Sequence, residues 1–315
     1  MHGDFFRGLA RGSEAIGSIN FLPLTEKKFF EYIEKISFFC YNRSDTRILR
    51  KGEDCRMKGL KRILSYTRRA ADDYGMIEDG DKIAVGVSAG KDSLSLLYAM
   101  AELRRFYPKK FELIAVTVDM RFGDLEQGGV PTDYTPIREL CDRLDVPYHI
   151  EPSNIAKIIF DVRKESNPCS LCAKLRRGMV NDTAKKLGCN KVALGHHFDD
   201  AVETFMLNLF YEGRLGCFSP VTYLDRTDIT VIRPLIYAPE KDVRYFAASA
   251  ELPVVESRCP ADGETERESM KQLLADLEYR NKGLRHRIFG AMQKAGLDGY
   301  IEAKVKNYAD PKKDE

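Results

Sequence analysis

Residues 82–97 read KIAVGVSAGKDSLSLL, and the fold can be worked out from this stretch. Apolar residues alternate up to Val87 as in a buried strand. From Asp92 onward Leu94, Leu96, Leu97 and Met100 supply the apolar side of a helix. Between the two lies Ser88-Ala89-Gly90-Lys91-Asp92-Ser93, a turn of small residues. Small side chains let backbone N–H groups close on an anion, and the helix N-terminus behind them adds the positive end of its dipole. The turn is therefore expected to cradle phosphate. It is not a Walker A loop, because Gly86 and Gly90 stand too close together and Asp92 takes the place of the Ser or Thr that follows Lys there.

Around this segment the chain has 315 residues, enough to bury a substantial core in one large domain with appendages. A hydrophobic fraction of 43% beside 31% charged residues describes a soluble globular protein, not a disordered one. No apolar run is long enough to span a bilayer. The N-terminus, with Asp4 and Glu14 among short apolar runs, lacks the ordered regions of a secretory signal. A cytoplasmic location with no membrane partner is expected. Fifty basic residues against 48 acidic ones leave a net charge of +2, so any RNA site must be a local patch. The eight cysteines should be reduced in that compartment unless they hold a metal, a cluster or a redox couple.

Residues 1–56 read unlike the rest. Phe5, Phe6, Phe29, Phe30, Phe38 and Phe39 come in adjacent pairs with no strand or helix period, and no chemistry is evident. The segment reads as an N-terminal extension, either disordered or lying upstream of a biological start at Met57. From Met57 a basic amphipathic helix carries Leu60, Ile63, Leu64 and Ala71 on one side. Residues 57–256 then alternate strand and helix. After the first strand and helix, Phe111 to Val118 is a continuous apolar run typical of a strand buried on both faces. Asp124 to Pro136 is a loop and Ile137 to Leu144 a helix; Pro147 to Ile150, Lys191 to Leu194 and Ile229 to Ile232 are strands three to five. This order predicts a doubly wound parallel five-stranded sheet. Residues 257–315 add a helical segment, with helices over Glu264 to Tyr279 and Leu284 to Ala295 and a frayed tail from Asp310.

Two further motifs carry chemistry. Gly195-His196-His197-Phe198-Asp199-Asp200 follows strand four directly, and in a doubly wound sheet ligands sit at the carboxyl ends of the strands. If strands one and four are neighbours, this motif faces the phosphate turn. Asp199 and Asp200 could then hold Mg²⁺ or position a proton, or simply favour the dipole of their own helix. The second motif is Pro168-Cys169-Ser170-Leu171-Cys172-Ala173-Lys174-Leu175-Arg176-Arg177. Asn167 and Pro168 make a good helix start and Gly188 a good stop. Cys169 and Cys172 thus share one side of the first turns, where the helix N-terminus is expected to lower thiol pKa and favour thiolates. Four uses compete for the pair: structural zinc, for which a second close pair is missing; a dithiol redox couple; plain packing; or an iron–sulfur cluster with Cys259 as third thiolate. Cys141, Cys189 and Cys217 read as packing residues. Lys174, Arg176 and Arg177, with Arg214 and Arg258 expected nearby, form a basic patch suited to polynucleotide phosphates.

Ser88 to Ser93 resembles the SGGxDS loop of the N-type ATP pyrophosphatases, the PP-loop or adenine nucleotide alpha hydrolase-like group, with Ala89 in place of the first glycine. A positive φ at Ala89 would cost roughly 1 kcal/mol. With CSLCAKLRRG and LGHHFDDAVET in this order, residues from about Met57 to Gln293 resemble the tRNA 2-thiocytidine sulfurtransferases, which modify cytidine 32 of the anticodon loop. That resemblance implies ATP and Mg²⁺ as cofactors and a [4Fe-4S] cluster on Cys169, Cys172 and Cys259. It implies an ATP site of Ser88, Ala89, Gly90, Lys91, Asp92, Ser93, Asp119, Gly195 and His196, and catalytic roles for Asp92, Asp199, Asp200, Cys169 and Cys172. It further implies tRNA contact by Lys174, Arg176, Arg177 and Arg214 and sulfur from a cysteine desulfurase; the oligomeric state, with a homodimer as one option, is left open by the sequence. In this scheme ATP adenylates the C2 oxygen of the cytosine, and sulfur displaces AMP. The alternatives are a tRNA 2-thiouridine synthase, a tRNA-isoleucine lysidine synthetase, or an iron–sulfur or RNA-binding scaffold without turnover.

Overall fold

Strand β1 (Asp81–Gly86) is central because its residues serve two cores at once. Ile83 and Val85 point into one apolar layer and Ala84 into the other, so the strand is buried on both faces. The computed structural model describes residues 47–123, 129–163, 168–256, 258–259 and 266–302. Expectations for residues 1–46, Asn167, much of the loop after Gly123 and the tail from Asp310 lie outside them.

The other strands are β2 (Phe111–Asp119), β3 (Tyr148–Pro152), β4 (Lys191–Ala193), β5 (Val221–Leu224) and β6 (Ile229–Ile232). They stand in the order β3-β2-β1-β4-β6-β5. The five strands expected from the sequence are all parallel, with Ile83 opposite Leu113 of β2 and Lys191 of β4. The sheet has a sixth, however, since β5 pairs antiparallel with β6 and closes one edge. After β3 the chain returns to the other side of β1, so the topological switch point lies between β1 and β4.

One face is covered by α1 (Arg47–Asp73), α2 (Lys91–Arg104) and α6 (Glu240–Ser249). Leu60, Ile63, Leu64 and Ala71 of α1 are all buried, as their spacing requires. Gly59 lets α1 approach α6 closely: a Cβ there would stand 3.2 Å from the Phe246 Cα. Within the described residues α1 runs through Met57 without a break. The other face carries the π-helical turn Lys157–Val162 and α4 (Pro168–Lys186), whose Val180 and Ala184 pack with Val116, Ile159 and Val192. Gly188, at φ +74°, stops α4 as expected. The remaining helices are α3 (Thr135–Arg143), α5 (Phe198–Tyr211), α7 (Glu266–Arg280) and α8 (Leu284–Lys294). Met270, Leu274, Phe289 and Met292 of α7 and α8 belong to the same apolar core as α1 and α2, so the C-terminal helices are built into the main body.

Candidate active site

The turn after β1 is closed by its own hydroxyls. The Ser88 N–H donates to Ser93 Oγ at 3.1 Å, and Ser93 Oγ donates to the Gly90 carbonyl at 3.0 Å. Ala89 does hold a left-handed φ of +68°, and it is buried. Its carbonyl accepts the Val255 N–H at 3.1 Å, which ties the turn to the segment leading to Cys259. Lys91 Nζ lies 3.0 Å from Asp92 Oδ2 and 3.3 Å from Glu240 Oε1. Against the effect of burial, these carboxylates hold the lysine above its ordinary pKa. Asp92 Oδ1 is buried without a hydrogen-bond donor, with His197 Nε2 3.7 Å from it. A buried carboxylate oxygen without a donor suits a cation or its bound water, so the residue fits Mg²⁺.

Strands one and four are neighbours, so the second motif does face the turn. A Cβ on Gly195 would stand 3.1 Å from the Asp92 carbonyl carbon and the Ser93 nitrogen, so only glycine fits this approach. His196 is partly buried, with Nδ1 inaccessible and unpaired, and its ring lies 4.9 Å from the Phe218 ring. Burial, then the nearby guanidinium groups of Arg233, Arg267 and Arg177, pushes its pKa down to about 3 and keeps it neutral. His197 and Asp200 form a reciprocal cap on α5, with Asp200 Oδ2 accepting the His197 N–H at 2.9 Å.

Asp199 and Asp200 already have partners within the fold. Asp199 Oδ2 accepts the Glu240 N–H at 2.7 Å and Oδ1 pairs with Arg285 at 2.6 Å, so both oxygens are engaged in joining α5 to α6 and α8. Asp200 is held by its capping role and by Arg267 at 3.4 Å. Among the three aspartates, Asp92 alone offers an oxygen without a hydrogen bond. Close by, burial and then the Asp200 charge push Glu203 up to about 7.

The three candidate thiols share one neighbourhood at the start of α4. Cys169 is exposed, while Cys172 and Cys259 are half-buried. The expected lowering of thiol pKa fails at Cys172: burial pushes it up, opposed by Arg176, and the charges of Cys259 and Cys169 add to the rise. Among the described residues no three thiol, imidazole or carboxylate groups converge tightly enough for a single metal ion. The charges of Cys169 and Cys259 act on Cys172, so the three thiols lie near one another, and thiolates are the donors that an iron–sulfur cluster takes. Cys141 and Cys189 are buried packing residues, and burial lifts Cys141 to about 12. Cys217 is half-buried against the Ala201 carbonyl.

Lys174, Arg176 and Arg177 are exposed on the first turns of α4, at the carboxyl edge of the sheet. Arg214 is exposed too, and paired with Glu212 at 3.0 Å. Asp119 ends β2 on that same edge, accepting the Arg121 N–H and, at 3.5 Å, the Tyr134 hydroxyl. Sequence reasoning missed Glu240, Lys271, Arg285 and Arg233. Each acquires its place through contacts distant in the chain, and no local motif marks them.

Comparison with known proteins follows the same outline. A family model described as a PP-loop domain matches residues 63–277. The tRNA-cytidine(32) 2-sulfurtransferase of Geobacter sulfurreducens is 42% identical over 235 residues, 74% of this chain and 89% of that protein. The enzyme of the same name from Syntrophotalea carbinolica is 40% identical over 253 residues, 79% of this chain and 95% of its own. The solved structure of the U34-tRNA thiolase NcsA from Methanococcus maripaludis, with its [4Fe-4S] cluster, superposes with a TM-score of 0.60 at 24% identity, covering 73% of this chain and 77% of that one.

Proposed function

The chain belongs to the PP-loop family and, within it, to the tRNA-cytidine(32) 2-sulfurtransferases; from that membership we propose that it activates cytidine 32 of the tRNA anticodon loop with ATP and replaces the C2 oxygen by sulfur. The enzyme is a transferase acting in tRNA thiolation. The observation that supports the finer reading is the juxtaposition at the β1–β4 switch point. The Ser88–Ser93 turn, the Gly195-His196 backbone against it and the segment carrying Cys259 all meet there.

In this reading the amides of the turn and Lys91 hold the ATP phosphates and stabilise the charge that builds on them during adenylyl transfer. Asp92 would hold Mg²⁺, which would neutralise charge on the ATP phosphates. The C2 oxygen attacks the α-phosphorus of ATP and pyrophosphate leaves; sulfur at the sulfide level, as HS⁻, then adds at C2 and AMP departs with that oxygen, with no net change of oxidation state. Cys169, Cys172 and Cys259 would hold a [4Fe-4S] cluster, which supplies the point of sulfur delivery, and a cysteine desulfurase is the sulfur source. Asp199 and Asp200 position α5, α6 and the Gly195 backbone rather than touching the metal. Lys174, Arg176 and Arg177 carry RNA phosphates, and an unpaired anticodon-loop base leaves its stack at small cost.

Nucleoside mass spectrometry of tRNA from a strain lacking the protein tests this. Loss of 2-thiocytidine alone, restored by the wild type but not by Cys172→Ala, is the expected result. Persistence of 2-thiocytidine, or loss of a thiouridine instead, would overturn the assignment. The purified Cys172→Ala protein should remain folded; insolubility would instead make the thiol a structural ligand.

A further inference from the structure

Arg233 follows β6 directly and is 6% exposed, yet among the described residues no carboxylate lies within ion-pair distance of it. Its Nη1 donates to the Ser219 carbonyl and, at 3.4 Å, to Thr222 Oγ1, while its Nε is buried with no partner. The guanidinium sits 4.9 Å from the centre of the Phe218 ring, and that ring lies 4.9 Å from His196. The stack links Arg233 through Phe218 to His196, which follows Gly195, and Gly195 rests on Asp92 and Ser93 of the phosphate turn. The β4–β6 pairing supports the same placement, since the Leu194 N–H donates to the Ile232 carbonyl at 3.0 Å.

A second cation, Arg177, stands on the first turns of α4 at the same edge of the sheet. Val180 of α4 touches the end of β1 at Gly86, 3.8 Å from where a Cβ would be, and Arg177 lies one turn nearer the helix start on the same side. Arg177 forms no ion pair among the described residues; its Nε bonds to the Ala173 carbonyl of its own helix. Its charge is felt by both His196 and Arg233: burial and then Arg177 lower the Arg233 pKa to about 10, with Tyr300 and Cys217 opposing. A buried guanidinium without a counter-charge is costly unless an anion completes it.

We propose that Arg233 and Arg177 form an anion site for a phosphodiester group of the RNA substrate, clamping the strand beside the nucleotide that enters the site. The planar guanidinium fork suits phosphate oxygens, and the unpaired Nε is a donor kept for one. The ATP phosphates have their own cradle two strands away, about 10 Å at ordinary strand spacing. Lys174 and Arg176 are exposed on the same helix as Arg177. The identity of the RNA as tRNA rests on the function proposed above, but the site itself does not.

Titrations of the full chain with unmodified tRNA at salt concentrations from about 50 to 200 mM, and separately with Mg-ATP, test it. For Arg233→Met, tRNA affinity should fall about tenfold and the slope of log K against log salt should flatten by about one, with Mg-ATP affinity within about twofold of the wild type. Arg177→Met should flatten the slope similarly, and Arg233→Lys should recover part of the affinity. Should Arg233→Met fail to fold, Arg233→Lys and Arg177→Met carry the same expectations. Unchanged tRNA affinity and slope would overturn the proposal, and so would loss of Mg-ATP affinity with tRNA binding intact, which would assign the phosphate to the nucleotide. Failure of the thiolation reading would appear in the nucleoside analysis and leave this salt slope unaffected.

Discussion

At Ala89 a single methyl group stands in a backbone conformation that favours glycine, with φ at +68° in a buried turn. The side chain makes the left-handed region cost roughly 1 kcal/mol, and the hydrogen bond from Val255 to its carbonyl helps hold it there. Ala89→Gly is therefore expected to stabilise the protein by up to about 1 kcal/mol, partly offset by the greater freedom of glycine in the unfolded chain. Urea unfolding would register this as a higher midpoint at unchanged slope; a lower midpoint would mean that the methyl contributes more through packing than it costs in strain. This position was legible in the sequence because the turn motif fixes where a small residue is needed. Asp199 was not. Its partner Arg285 lies 86 positions away, so the ion pair that engages it comes from a helix that no local pattern connects to it.

The element that couples these residues is α6, whose first residue Glu240 lies between two lysines. Lys91 reaches it from the phosphate turn at 3.3 Å and Lys271 from α7 at 3.0 Å. Burial alone would raise the Glu240 pKa, but Lys271 and Lys91 prevail and pull it down to about 2. A carboxyl lowered from 4.5 contributes stability that is fully present above that value and is lost as pH falls toward 2. Glu240→Gln should thus cost about 2 kcal/mol at neutral pH, and the difference from the wild type should shrink through that acid window. Thermal unfolding of both proteins across pH checks this, and a constant difference down to pH 3 would show that the carboxylate is not the stabilising form. The sequence revealed β2 because a strand buried on both faces forms a nearly continuous apolar run, and β1 because its apolar residues lead straight into the phosphate turn. It concealed β5, four residues of which none is fully buried, and α6, whose charged opening Glu240-Lys241-Asp242 reads as loop until Val243, Phe246 and Ala247 are seen to pack.

Over the whole molecule, the question is whether residues 266–302 form an appendage to the α/β body or part of it. The apolar contacts favour the second. Phe289 lies 4.8 Å from Phe198, 6.1 Å from Tyr237 and 5.4 Å from Tyr300, and Met270, Leu274 and Met292 are equally buried. At about 1.5–3 kcal/mol for each fully buried large side chain, five such residues contribute roughly 10 kcal/mol. That is comparable with the entire net stability of a typical domain, about 5–15 kcal/mol. The charges point the same way, since removing α7 and α8 would leave Asp199 without Arg285, Glu203 without Arg267 and Glu240 without Lys271. A chain ending at residue 265 is therefore expected to be insoluble or to unfold without a cooperative transition, even though every residue of the phosphate turn and all three candidate thiols remain in it. Circular dichroism and thermal scans of the truncated protein decide the matter. A soluble product with a sharp transition and intact Mg-ATP binding would show that the α/β body folds alone and that the helices serve only to complete the site.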